Sequence, residues 1–82
     1  MPYIKPEIRP TKDDVYDMMI EADVVANGDL NYILFKFCKY QIEPGYNNYK
    51  NFIAELNECG AEIRREILAP YEDKKKAENG EV

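Results

Sequence analysis

The 82 residues carry a net charge of −5, with 45% apolar and 33% charged residues, two cysteines and no histidine or tryptophan. A chain of this length is one small domain, a size that buries only about 60% of its unfolded surface and often depends on oligomerisation. The acidic balance excludes non-specific binding to nucleic acid or to an anionic membrane surface, both of which call for a basic field.

The missing histidine removes the usual acid–base group of neutral pH and the usual partner of a cysteine nucleophile. Two cysteines without histidine do not close a structural zinc site, and there is no glycine-rich phosphate loop. The expectation is therefore a protein that is not an enzyme and uses no cofactor and no metal. No apolar run approaches the roughly 20 residues of a membrane span and no signal peptide precedes the first prolines. A cytoplasmic protein is expected, in its own cell or in an infected host.

Along the chain, Pro2, Pro6 and Pro10 recur every four residues, with Tyr3, Ile4 and Ile8 between them. Proline fixes φ near −65° and biases the preceding residue to extended geometry, so residues 1–10 are expected to form a stiff, partly apolar extended arm. Such an arm needs a surface to lie on, which points to a neighbouring chain. Helical sequence is expected over 11–80. Thr11 is the expected N-cap of the first helix, with Asp13 and Asp14 in its first turn. Val15, Met18, Met19, Ala22 and Val25 then form an amphipathic stripe, and Asn27-Gly28 is the expected stop.

Asp29 is the expected cap of a second helix, with Leu30, Ile33, Leu34, Phe37 and Cys38 on one side and Phe35 and Tyr40 on another. That is more apolar surface than a three-helix monomer needs to bury. Pro44-Gly45 breaks it. A third helix is expected from Asn47 or Asn48, with a stripe of Tyr49, Phe52, Ile53, Leu56, Cys59, Gly60, Ile63, Ile67 and Leu68. Pro70 should kink it, Tyr71 to Ala77 can resume the helix, and Asn79-Gly80 should end it, leaving 81–82 as a tail. The fold class is thus all-α: an extended N-terminal arm plus three main helices, the third kinked near Pro70, assembled as a helical oligomer. Cys38 and Cys59 fall at apolar helix positions and are expected to be reduced and buried. Gly60 in mid-helix costs about 1 kcal/mol relative to alanine, and a glycine there permits another backbone to approach.

Asp13, Asp17 and Glu21 share one helical line, a solvated face or one paired with basic residues of another helix. The basic residues are fewer and more clustered: Arg64-Arg65, then Lys74 to Lys76. Arginine offers a planar fork for phosphate or carboxylate. Seven tyrosines offer flat faces with a polar tip. Together they suit a pocket for a small anionic nucleotide whose walls come from different chains. Against this stands simple pairing of Arg64, Arg65 and Lys74 to Lys76 with Glu62, Glu66, Glu72 and Asp73. The expected site comprises Tyr3, Arg9, Asn31, Tyr32, Arg64, Arg65 and Tyr71. Asn31 and Tyr32 are included because they sit beside a helix start, where backbone N–H groups attract anions.

The opening Met1-Pro2-Tyr3-Ile4 with Arg9-Pro10, the central Gly28-Asp29-Leu30-Asn31-Tyr32, and the closing Arg64-Arg65, Ala69-Pro70-Tyr71-Glu72-Asp73 and Glu78-Asn79-Gly80 together resemble a family of small uncharacterised proteins of phages, prophages and bacteria. The resemblance carries no established activity and no functional residue. It implies action by binding, as small acidic phage proteins often act: sequestering a nucleotide second messenger of host immunity, as an anti-defence sponge, or blocking a host protein through the acidic helical surface. Expected partners are further copies of the chain and a small anionic, nucleotide-derived ligand, with no nucleic acid and no membrane.

Overall fold

A computed structural model describes all residues, Met1 to Val82. Every regular element is helical: α1 Arg9–Glu21, α2 Gly28–Gln41, α3 Tyr46–Ile63 and α4 Ala69–Asn79, with a 3₁₀ turn at Pro6–Ile8 and a π-helical turn at Arg64–Leu68. The all-α reading with an N-terminal arm holds, but extended geometry stops at Lys5, not at residue 10. Ile8 donates its N–H to the Lys5 carbonyl at 3.1 Å, forming the 3₁₀ turn. Helix α1 then opens two residues before Thr11, because Pro10 falls in its first turn, where a missing N–H costs nothing and the fixed φ is already helical. Thr11 is not the cap: its hydroxyl donates back to the Ile8 carbonyl at 3.4 Å.

The end of α1 comes earlier than the stripe to Val25 implies. Asp23 adopts φ +55°. Its N–H reaches the Ile20 carbonyl (3.1 Å) and that of Val24 reaches the Met19 carbonyl (3.0 Å). This 5→2 and 6→1 pair is a Schellman stop, and its customary apolar contact positions are Met19 and Val24, both half-buried. Gly28 is consequently not a helix stop but the first residue of α2. The cap is Asn27 and not Asp29: the Asn27 side chain accepts the Asp29 N–H at 2.8 Å. Asp29 stays in the first turn, where negative charge is favourable.

By contacts the chain divides into two units, Tyr3–Phe52 and Met1–Pro2 with Ile53–Val82. In the first, α2 turns Leu30, Leu34 and Cys38 to a half-buried side, and Phe37 stacks on Phe52 at 6.1 Å between centroids. Asn48 donates its side-chain N–H to the Glu43 carbonyl at 3.0 Å across the Pro44-Gly45 turn. A Cβ on Gly45 would stand 3.2 Å from that Asn48 nitrogen, a tight contact that the Asn48 side chain would have to yield to by a few tenths of an ångström. In the second unit, α3 passes into α4 without leaving helical geometry. Pro70 has no N–H to give an i−4 carbonyl. The interruption expected there takes the form of the wider π turn just before it, in which the Ala69 N–H bonds the Arg64 carbonyl, five residues back. Gly80, at φ +86°, ends α4 where expected.

No residue of the chain is buried. Both cysteines are free thiols, Cys38 half-buried and Cys59 exposed. The expected burial is therefore met at neither cysteine, and least at Cys59, because nothing within the chain covers that side of α3. No helix is long and apolar enough to cross a membrane.

Two substitutions in the α1–α2 connection should act in opposite directions. Asp23→Gly removes the Cβ strain of a left-handed residue and a negative charge from a helix C-terminus, and should stabilise by about 1 kcal/mol. Asn27→Ala removes the cap of α2 and should destabilise by about 1 kcal/mol. Urea denaturation at a fixed protein concentration measures both.

Candidate functional site

The candidate residues divide between the two units. Tyr3, Arg9, Asn31 and Tyr32 belong to the first; Arg64, Arg65 and Tyr71 belong to the second. In the first unit the arm is tied back on its own chain, because Arg9 donates its Nε–H to the Ile4 carbonyl at 2.8 Å. Arg9 thus serves backbone closure, and no hydrogen bond, ion pair or ring contact joins it to Asn31 or Tyr32. The start of α2 is also less open to an anion than its sequence suggests, since Asn27 already takes the Asp29 N–H. Asn31 donates its backbone N–H to the Asn27 carbonyl at 3.2 Å, which places it inside the first turn.

The aromatic members carry cations, of which only Lys75 falls in the basic cluster expected from the sequence. Lys36 lies 5.5 Å from the Tyr32 ring centroid and also donates to its hydroxyl at 3.4 Å. Lys75 lies 5.7 Å from the Tyr71 centroid, and Lys50 repeats the arrangement 5.5 Å from Tyr46. Each is a tyrosine followed four residues later by lysine on a helix. That is the spacing at which side chains meet, so the signal was legible. Exposed pairs of this kind contribute about 0.5–1 kcal/mol. They also hold positive charge over a flat ring, a combination suited to stacking a base beside a phosphate.

The adjacent arginines have different surroundings. Arg65 is doubly engaged: its Nε donates to Glu62 at 2.7 Å, and its Nη2 stands 2.8 Å from Glu66. The salt-bridge reading therefore holds for Arg65, whereas Lys75 and Lys76 pair not with the expected Glu72 and Asp73 but with Glu78 (3.3 Å) and Glu81 (2.9 Å). Arg64, exposed on the π turn, makes no such bond. Of the expected pair, it is the one without an intrachain ion pair. A shallow groove of about 240 Å³ runs beside Arg65, between Met1-Pro2 and Glu58, Ala61 and Glu62 of α3. The terminal ammonium reaches Glu55 at 3.8 Å. The first two residues of the arm therefore lie on α3 of their own chain, where a neighbouring chain was expected. With two glutamates and a neutralised arginine, this groove does not suit an anion.

Asp13, Asp17 and Glu21 of α1 enter no ion pair within the chain. No three carboxylate or thiol side chains converge as metal ligands.

A family model described as Domain of unknown function (DUF6899) matches residues 1–82. No curated protein and no solved structure matches the chain.

Proposed function

We propose that this chain, which belongs to the DUF6899 family, is a non-catalytic binding protein that works as a homo-oligomer and holds a small anionic, nucleotide-type ligand. The observation that carries the reading is Arg64. It is an exposed guanidinium without an intrachain partner, on the π turn of a chain in which no side chain is buried. Exposed to water, such a cation binds phosphate weakly. Covered by a second copy, it would bind with far less competition from solvent, because a low dielectric strengthens charge-assisted bonds. Tyr71, in the same unit as Arg64 and with Lys75 over one side of its ring, supplies a stacking face. Sequestration follows from pocket groups preorganised by assembly, and a phage-encoded sponge for an immune second messenger is the role it fits.

The second reading is a protein-interaction inhibitor or adaptor. It is favoured by the unneutralised line Asp13, Asp17 and Glu21 on α1, which fits a basic protein surface.

Incubation with a nucleotide mixture, removal of unbound material and heat denaturation should release an intact nucleotide. An altered nucleotide would mean turnover, and none at all would favour the second reading. Arg64→Ala should weaken retention tenfold or more, since a hydrogen bond to a charged group is worth about 1.5–3 kcal/mol and about 1.4 kcal/mol is a factor of ten. Arg65→Ala should leave it nearly unchanged, because Glu62 and Glu66 already hold that side chain. Calorimetry on both variants with the released nucleotide checks the contrast. Equal, wild-type affinity in both ends the anion-site reading.

A further inference from the structure

Along α3 the apolar residues Tyr49, Ile53, Leu56, Gly60 and Ile63 are spaced alternately four and three apart, and Ile67 continues the series into the π turn. A sustained average of 3.5 marks the seam of one helix against another. We infer that this seam is the surface on which α3 pairs with α3 of a second copy of the chain, with Gly60 as the point of close backbone approach. The inference rests on the reading of the protein as a homo-oligomer and gives that oligomer its contact.

Three observations choose the occupant. The opposite side of α3 is already covered in part by the chain itself, since Met1 and Pro2 lie against Glu58, Ala61, Glu62 and Arg65. The seam is only partly covered: Ile53 is 55% exposed and Ile63 48%, against 39% for Leu56, 38% for Tyr49 and a half-buried Gly60. In the unit that ends the chain, Ile53, Ile63, Ile67 and Tyr71 are 48–65% exposed and no residue is buried, so that unit has no core until another surface covers it. Finally, a Cβ added at Gly60 would meet nothing in its own chain. Intrachain packing therefore gives no reason for the residue least suited to a helix interior, apart from proline. A close-packed helix partner does. Such a seam fits a partner with the same repeat, and the chain's own α3 supplies it.

Gly60→Leu separates the two explanations of the glycine. Helix propensity alone makes the substitution stabilising, with assembly unchanged. Pairing at Gly60 makes it disruptive, because leucine holds the backbones apart. Sedimentation equilibrium on the full chain should show wild type assembled, and the dissociation constant of Gly60→Leu raised at least about tenfold, the effect of overpacking a close contact. Asn51→Leu, on the side of α3 away from the seam, is the control and should assemble as wild type. Loss of helix in Gly60→Leu in step with loss of assembly also supports the inference, since one copy offers no clash to cause it. Wild-type assembly with unchanged or greater stability in Gly60→Leu overturns the α3 contact and leaves the oligomer in place. A wild-type chain that stays monomeric at every concentration overturns both.

Discussion

Backbone hydrogen bonding inside helices is almost the only closed interaction in this chain, and that sets the terms for everything else. The hydrophobic effect acts through area removed from water, and here no side chain is fully removed. Helices α1 and α2 have 13 and 14 residues, about the length at which an isolated helix is marginal in water. Their caps are sound: a Schellman stop at Asp23 and an asparagine cap at Asn27. But caps contribute about 1 kcal/mol each, too little to hold marginal helices without packing. Stability must come from apolar faces such as Phe35 and Tyr40 on α2, or Ile53 and Ile63 on α3, which stand exposed in one copy. Within one copy, no buried core holds the helices in place.

The helical periodicity in the sequence was enough to recover the number and order of the main helices, and the stops at Pro44-Gly45 and Asn79-Gly80. Those features rest on local rules, namely apolar spacing and the conformational limits of proline and glycine. The errors fall where two local rules compete. Pro10 favoured a helix start over an extended arm, so α1 began at Arg9. Asn27-Gly28 fits a helix stop as well as a helix start, and the choice went to the start because a non-glycine residue, Asp23, took the left-handed position upstream. No glycine marked that position, which is why the sequence pointed past it. Cys59 failed for a different reason: a place on an apolar stripe tells which side of a helix needs covering, not whether the same chain supplies the cover.

The candidate site was legible only as a set of residue types. Arginines and tyrosines could be named, but which of them are already committed depends on side-chain partners. Glu62 stands three residues before Arg65, a spacing at which helix side chains meet, and two before Arg64, at which they do not, so that pairing was legible; the second partner, Glu66, was not. In the structure both glutamates go to Arg65. Arg9 is likewise spent on the Ile4 carbonyl. Three arginines thus reduce to one without a partner, a sharper statement than any count of basic residues provides.

That one arginine sits where the backbone departs from α-helical geometry. A proline inside a long helix must leave a carbonyl without its i+4 donor. Here a π turn over Arg64–Leu68 precedes Pro70, and in it the Arg64 carbonyl takes the N–H of Ala69, five residues on. Single π turns inside α-helices are uncommon and are found often at functional sites. The same turn changes the angular spacing between residues before and after it, so the seam of α3 and the side chains of α4 do not continue on one line. Arg64 lies at that change of phase, at the end of the seam inferred for a second copy. A cation at the edge of an apolar contact keeps its access to a ligand while losing much of its competing water. The two proposals meet at this point: an α3 contact with a second copy would supply the low-dielectric surroundings that the proposed anion site would need.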